Sequence, residues 1–231
     1  PQEKKIIRAI KRKKMTIEKI HRLLCQKEIA YAQLPDEFFH MKTKTRIGNE
    51  NSQVDSFLWL LARYEHERDE DILTQFLSDP RIKLDQRQDK HTPLLISIMQ
   101  EHQRPCYQLS LILLSHNANP NLVSTENAWS PLHEVIKKHY CFGSLELISN
   151  LLDRGAKVEH QELQFGYNAL HLASRIGGLK QLKIVLLLIQ HGACPKSLNY
   201  LGQNALLIAA ESLKGHQNIQ LLYEFYLLKD M

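Results

Sequence analysis

The sequence of 231 residues has little of what defines several protein classes. Nine Gly and eight Pro are too few for a fibrous or loop-rich chain. The longest apolar runs, at residues 109–114 and 184–189, are far shorter than the ~18 residues that a membrane span needs. The four Cys are far apart and form no Cys-x-x-Cys pair, which disfavours a disulfide framework. We therefore expect a soluble, cytoplasmic protein with reduced thiols.

Residue groupings that carry chemistry are missing as well. We find no paired carboxylates, no nucleophile elbow and no spacing typical of metal ligands. Gly177-Gly178 has no preceding strand, no Gly-rich partner loop and no Lys-Ser/Thr after it, so it predicts a turn between helices and not a phosphate site. The sequence therefore predicts no catalytic residue, no cofactor and no metal in this chain.

Positive charge is concentrated at the start of the chain. The formal net charge is +5, yet residues 1–22 alone carry +7, so the remainder is slightly acidic at −2. Isoleucines recur among the basic residues at helical spacing, which predicts an amphipathic helix whose apolar side packs on the next part of the chain. A nuclear import signal, or contact of residues 4–22 with an anionic membrane or nucleic acid, is the alternative. The sharpest cluster, here called the basic patch, is Lys11, Arg12, Lys13 and Lys14.

A polar run marks the end of this basic segment. It extends from Lys42 to Gln53 with Gly48-Asn49 near its middle, and it predicts a loop or linker. We therefore divide the chain into an N-terminal basic helical segment, residues 1–50, and a second domain, residues 51–231. The first is expected to cap the second or to form a small separate unit.

Residues 51–231 repeat a pattern of two helices joined by a turn. Five four-residue segments begin at intervals of 36, 38, 38 and 36 residues, and each precedes a short helix and then an apolar helix. Asn117, Gly155 and Gly192 come after three of the apolar helices and can adopt the left-handed conformation that ends a helix. Units that cannot bury their apolar faces alone predict a solenoid. The segments begin at residues 56, 92, 130, 168 and 204, and the apolar helices are expected at 72–77, 109–114, 145–152, 182–189 and 219–225.

Five motifs in this region resemble ankyrin repeats: Thr92-Pro93-Leu94, Ser130-Pro131-Leu132-His133, residues 151–156, residues 169–173 and residues 187–193. The resemblance covers about residues 52–231 and implies an all-α, ankyrin-repeat α-solenoid of about five helix-turn-helix repeats. It implies a monomeric protein-interaction module that binds a partner protein through its concave face. It also implies that His133 and His171 are structural and join successive repeats.

The abundance of Lys, Ile, Gln and Asn and the lengthened repeats also resemble ankyrin effectors of intracellular bacteria such as Legionella. This resemblance implies a host protein as the partner, and the host cytosol or nucleus as the location. A further alternative is that the chain is the ankyrin part of a larger enzyme. The missing initiator Met and the apolar end at residues 225–228 favour it, and the catalytic domain would then lie outside residues 1–231.

The ankyrin resemblance implies where a partner should bind. Residues before each aligned segment form projecting tips, and residues further along the first helix line the concave face. Aromatic side chains are typical of interface hot spots, and the neighbouring cations predict a partner with an apolar anchor beside acidic groups. The expected tip residues are Trp129, Phe165, Tyr167, Tyr200 and Leu201, and the expected concave-face residues are Met99, Lys137, Lys138, Arg175 and Glu211.

Overall fold

The computed structural model forms two compact units, Pro1–Asp89 and Lys90–Met231. The basic patch and nearly all of the first expected repeat lie outside the described residues, so the domain boundary between residues 50 and 51 stays a prediction. The structure describes residues 43–47, 50–54, 74, 77, 78, 80, 82–87, 90–100, 107–138, 143–212 and 216–228.

A β-hairpin occupies most of the polar run for which the sequence predicted a loop or linker. Strand β1, Thr43–Ile47, pairs antiparallel with β2, Glu50–Val54, and the register sets Thr43 opposite Val54. The prediction of a loop was wrong here because Gly-Asn between two strand-forming runs is itself a two-residue hairpin signal. The hairpin belongs to the first unit.

The second unit contains eight described helices in alternating inner and outer positions, which confirms the α-solenoid fold. The four outer helices extend the predicted apolar runs at 109–114, 145–152, 182–189 and 219–225 by one to three residues at each end. The inner helices are α1 (Pro93–Gln100), α3 (Pro131–Lys137), α5 (Ala169–Ile176) and α7 (Ala205–Glu211), and the outer helices are α2 (Gln108–Ser115), α4 (Ser144–Asp153), α6 (Leu179–Gln190) and α8 (His216–Leu228).

In the four aligned segments that the structure describes, the first residue caps an inner helix. The side-chain oxygens of Thr92, Ser130, Asn168 and Asn204 each accept a hydrogen bond from the backbone N–H three residues later, at 2.9 to 3.4 Å. Such a cap satisfies a helix N–H that has no partner within the helix and contributes about 1 kcal/mol. The 36- to 38-residue period in the sequence is therefore a period of helix starts.

Three outer helices end at the predicted stops. Asn117, Gly155 and Gly192 have φ angles of 67°, 81° and 93°, in the left-handed region. The N–H of the residue after each of them donates to the carbonyl five positions earlier, at 2.9 to 3.0 Å. These bonds close the helix ends and turn the chain towards the next repeat.

The helices of the second unit form two layers, one of inner helices and one of outer helices. Each inner helix contacts the next inner helix, each outer helix contacts the next outer helix, and the two helices of a repeat contact each other. The buried leucines recur at equivalent positions, and each contributes about 1.5–3 kcal/mol of hydrophobic stabilisation. Those of the inner layer are Leu94, Leu132 and Leu170, and those of the outer layer are Leu113, Leu151 and Leu188.

Polar side chains join neighbouring repeats at the turns after the outer helices. Asn121 accepts a hydrogen bond from the backbone N–H of Lys157 at 2.8 Å. In the next repeat Glu159 accepts from the backbone N–H of Cys194 and from the hydroxyl of Ser197, both at 2.6 Å. Each turn is thereby fixed by a side chain from the preceding repeat.

Candidate protein-interaction surface

Three projecting turns precede the inner helices α3, α5 and α7. We call them tip 1 (residues 123–129), tip 2 (residues 161–167) and tip 3 (residues 198–203). Each is closed by a backbone hydrogen bond between its ends, from Ser124 to Trp129, from Glu162 to Tyr167 and from Asn199 to Gln203, at 2.8 to 3.1 Å. The tips are therefore defined turns whose side chains project from fixed backbone positions.

Neighbouring tips are also bonded to one another. The N–H of Leu163 donates to the carbonyl of Asn127 at 3.0 Å, and the N–H of Tyr200 donates to the carbonyl of Phe165 at 3.0 Å. Tip 1 is also bonded to the preceding repeat by an exposed ion pair, in which Lys90 lies 3.0 Å from Glu126 of the tip. The lysine holds the pKa of the Glu126 carboxyl below its usual range. The three tips form one continuous row.

Glu162 anchors tip 2 from within. This buried carboxylate accepts hydrogen bonds from the backbone N–H groups of Gln164, Phe165 and Tyr167, at 2.7, 2.6 and 3.2 Å. Asn199 plays the same part in tip 3, where its side-chain oxygen accepts from two backbone N–H groups at 3.0 and 2.8 Å. These acceptors fix the backbone of tips 2 and 3.

Apolar side chains of tips 2 and 3 are exposed. Phe165 stacks on Tyr167 with ring centroids 5.4 Å apart, and the ring of Tyr200 lies against the backbone of Gly166. The packing leaves Tyr200 58% exposed and Leu201 66% exposed, while Phe165 is at the edge of exposure with 37%. Tips 2 and 3 thus present an apolar strip, here defined as Leu163, Phe165, Tyr200 and Leu201.

Trp129 and Tyr167 are half-buried and hold cations from the inner helices. The ammonium of Lys137 lies 4.7 Å from the centre of the Trp129 ring, and the guanidinium of Arg175 lies 5.6 Å from the centre of the Tyr167 ring. Both distances are within the ~6 Å range of cation–π attraction. The structure therefore pairs each aromatic residue with the cation eight positions after it, and both cations are exposed.

In the third of these repeats a polar pair takes the place of the cation–π pair. Gln203 is the tip residue equivalent to Tyr167, and its side-chain amide donates to the carboxylate of Glu211 at 2.8 Å. Glu211 is exposed, eight positions after Gln203. The inner helices α3, α5 and α7 thus present Lys137, Arg175 and Glu211 at one equivalent position.

The two aligned histidines lie between these pairs and are structural, as expected. Nε2 of His133 lies 3.0 Å from the carbonyl oxygen of Tyr167, and Nε2 of His171 lies 2.9 Å from that of Ser197. Because a carbonyl only accepts, both imidazoles carry their proton on Nε2. Each histidine therefore joins its own repeat to the next one.

Both imidazoles are kept neutral. Burial lowers the pKa of His133 from 6.5 to about 4, against the smaller effect of its bond to Tyr167. Burial also lowers the pKa of His171, whose Nδ1 accepts a hydrogen bond from the N–H of Asn168 at 3.2 Å. These side chains therefore add no charge to the surface at neutral pH.

Lys138 corrects one of the sequence-based predictions. It was expected on the concave face, yet it is 5% exposed. Its ammonium donates to the backbone carbonyls of Ile98, at 2.8 Å, and of Met99, near the end of α1. Ser212, at the equivalent position two repeats later, donates to the carbonyl of Arg175 at 2.6 Å. The cation is thus used to cap the preceding inner helix, where helix carbonyls lack partners, and a partner cannot reach it.

Of the remaining predicted positions, Met99 is half-buried and Glu211 is exposed. Several residues escaped sequence reasoning. The sequence did contain a signal for Leu207. This leucine occupies the aligned position that holds histidine in the two preceding repeats, so it does not form the hydrogen bond that those histidines make to the next repeat. The missed residues are the tip anchors Glu162 and Asn199 and the exposed leucines Leu163, Leu198 and Leu207, with exposures of 60%, 55% and 50%.

The part of the chain that the structure describes contains neither a membrane-spanning helix nor a cluster of metal-ligating side chains. None of the helices there has the length and apolar character to cross a bilayer. Nor do three or more His, Cys, Asp or Glu side chains come together there in a way that could hold a metal ion.

Comparison with known proteins confirms the resemblance. Residues 139–227 match the family model for ankyrin repeats (3 copies). The fold is similar to the crystal structure of the ankyrin repeat domain of Bcl-3, described as a unique member of the IkappaB protein family, with a TM-score of 0.58. That alignment covers 75% of this chain and 70% of the other at 24% identity, so it shows the fold alone. A comparison with curated proteins gives no match.

Proposed function

We propose that the chain binds a partner protein through tips 2 and 3 and the adjoining concave face, because residues 139–227 match the model for ankyrin repeats and stacked repeats form extended binding surfaces. The observation that carries the proposal is the apolar strip. Four large apolar side chains, with exposures of 37% to 66%, belong to two tips whose backbones are bonded to each other. Apolar side chains exposed in one patch are typical of interaction sites.

The rigidity of the strip supports this role. Glu162 fixes the backbone around Phe165 with two bonds, and Tyr200 is held by its backbone bond to Phe165 and by the ring contact with Gly166. A surface whose side chains are already ordered loses less conformational entropy on binding, about 0.5–1.5 kcal/mol less for each side chain. Phe165 and Tyr200 can therefore act as anchors from backbone positions that are already fixed.

The charges beside the strip narrow the chemistry of the partner. Lys137 and Arg175 are exposed and lie over the aromatic residues of tips 1 and 2. We therefore expect an apolar anchor with acidic groups next to it. This partner chemistry agrees with the sequence-based prediction, except that Lys138 contributes no accessible charge.

The test compares the wild type with a variant whose strip is made polar. Leu163→Ser, Phe165→Ser, Tyr200→Ser and Leu201→Ser together remove the four apolar side chains of the strip and leave the side-chain acceptors Glu162 and Asn199 intact. A matched control, Leu186→Ser with Tyr223→Ser, changes exposed apolar residues on outer helices α6 and α8. Immobilised proteins are incubated with lysate, and quantitative mass spectrometry compares what each retains after circular dichroism has shown equal folding.

We expect at least one protein to be retained by the wild type and by the control but lost from the strip variant. The proposal is wrong if all three proteins retain the same set, because the strip would then contribute nothing. A protein lost only from the outer-helix control would place the binding face on α6 and α8 instead.

Three finer points belong to the same proposal. The compositional resemblance to bacterial ankyrin effectors favours a host protein as partner, in the host cytosol or nucleus, so the lysate should come from a eukaryotic host cell. The proposal assigns no catalysis to residues 51–231. We expect the purified chain to be a monomer, which light scattering coupled to size-exclusion chromatography measures directly.

A further inference from the structure

The described inner helices carry an exposed charged residue at one equivalent position in three successive repeats. Lys137, Arg175 and Glu211 each lie eight positions after a tip residue, and each is held by that residue. The order along the stack is cation, cation, anion. We call this set the charge ladder.

The other ionisable groups of the described inner helices and their ends are buried or neutral, so the ladder carries the exposed charge of these helices. Glu134 is 6% exposed, and burial raises the pKa of its carboxyl. The ammonium of Lys138 is bonded to carbonyls of α1, and both histidines are neutral because burial lowers the pKa of their imidazoles. The described inner helices thus show a partner two fixed positive charges and then one negative charge.

The spacing of the ladder indicates which backbone conformation a bound peptide segment would have. Packed helices lie about 8–10 Å apart, so charges on neighbouring inner helices repeat at about that interval. In a polyproline II segment every third residue faces the same way, at a spacing of about 9.3 Å. In a β-strand, residues facing the same way are about 6.8 Å or about 13.6 Å apart, which fits less well.

We propose that the charge ladder binds a polyproline II segment of a partner protein in which two acidic residues and one basic residue occur at three-residue intervals. The carboxylates pair with Lys137 and Arg175, and the basic side chain pairs with Glu211. Leu207, 50% exposed and one turn before Glu211, offers apolar contact to the stem of that basic side chain. The inference rests on the proposed function, since it names the kind of segment that the same face receives.

The pairs within the ladder favour such binding. An exposed lysine or arginine normally loses rotamer freedom when it joins an ion pair, which cancels much of the gain. Here the rings of Trp129 and Tyr167 already restrict Lys137 and Arg175. Opposite charge on the third position also discriminates, because a purely acidic segment meets repulsion at Glu211.

The probes are labelled synthetic peptides, titrated at low salt and monitored by fluorescence anisotropy. One has the order Glu-Pro-Pro-Glu-Pro-Pro-Lys and another has the reverse order, because the ladder fixes the sequence of charges but not the direction of the peptide chain. A third peptide, Glu-Pro-Glu-Pro-Lys, keeps the charges and shortens the interval. A fourth, Lys-Pro-Pro-Lys-Pro-Pro-Glu, inverts every charge.

We expect one of the first two peptides to bind, the shortened peptide to bind about tenfold more weakly, and the inverted peptide not to bind. Arg175→Glu should weaken binding about tenfold, and changing the middle Glu of the peptide to Lys should restore it. Lys183→Glu is the matched control, since it makes the same change of charge on the exposed side of α6 and should have little effect.

The inference is overturned if neither direction binds, or if Arg175→Glu and Lys183→Glu weaken binding equally, which would indicate attraction by net charge alone. Failure of the proposed function is distinguishable from this result. The peptides contain no apolar anchor, so they report on the ladder only. A strip variant that loses its protein partner while the peptides fail would reject the ladder and keep the binding face.

Discussion

Stability should fall with decreasing pH because of His133. Burial gives this imidazole a folded-state pKa of about 4, whereas its ordinary value is 6.5. Between these values the unfolded chain binds a proton that the folded chain does not, so acid favours unfolding. The contribution is complete above pH 6.5 and is lost as the pH falls towards 4.

The magnitude is set by the two pKa values. The full difference between 6.5 and about 4 corresponds to about 3 kcal/mol, and about 2 kcal/mol of it is lost by pH 5. Such a loss is large against the 5–15 kcal/mol that is typical of a folded domain. His171 acts in the same direction, since burial lowers its pKa too, and its protonation would set Nδ1–H against the N–H of Asn168.

Urea unfolding monitored by circular dichroism at pH 7.5, 6, 5 and 4.5 measures the effect. His133→Gln should be less stable than the wild type at pH 7.5 and should lose less stability on acidification. Ile136→Val is the control: it weakens the core of the same repeat without removing a titrating group, so it should lower stability by a similar amount at every pH. Equal pH slopes for the wild type and His133→Gln would refute the reasoning, as would titration of His133 near 6.5 by NMR.

Three further predictions concern stability. Lys138→Met keeps the buried aliphatic stem but leaves the carbonyls of α1 without their donor, and a thermal melt should show a loss of about 1–3 kcal/mol; an unchanged melting temperature would mean that water replaces the ammonium. Gly155→Ala should cost about 1–2 kcal/mol from left-handed strain alone, because a Cβ there meets nothing within 4 Å. Gly166→Ala should cost more, since its Cβ would lie 2.5 Å from the Tyr200 ring; the excess should vanish when Tyr200 is also changed to Ala, and its persistence would place the strain elsewhere.

Local signals made the helical repeats predictable. A cap such as Ser130 or Asn168 and a stop such as Gly155 act on the backbone within a few residues of themselves, so their spacing in the sequence is already the spacing of helix ends. The hairpin at residues 43–54 had a local signal as well, in Gly48-Asn49, but the polar character of its strands masked it. The loop prediction was wrong there because it followed the polar composition and not the hairpin signal of Gly-Asn.

The surface was predictable only in part, because exposure depends on residues far away in the sequence. Lys138 resembled a surface lysine until its acceptors, 39 and 40 positions earlier, were known. Tyr167 was expected to be free for a partner, but its ring stacks on Phe165 and lies under the guanidinium of Arg175. Phe165, Tyr200 and Leu201 were predicted as tip residues, and their position within the projecting turns suits the exposure that the structure shows.

Side-chain hydrogen bonds between repeats run in both directions along the array. Lys138 completes the end of α1, and Ser212 completes the end of α5, each reaching back from a later repeat to an earlier one. The histidines reach the opposite way, from His133 to Tyr167 and from His171 to Ser197. Folding of one repeat therefore supplies hydrogen-bond partners to its neighbours. Each of these four bonds joins adjacent repeats. The array should behave as a one-dimensional chain of coupled units, in which order spreads from neighbour to neighbour and the free energy of each junction can be measured by removing one residue.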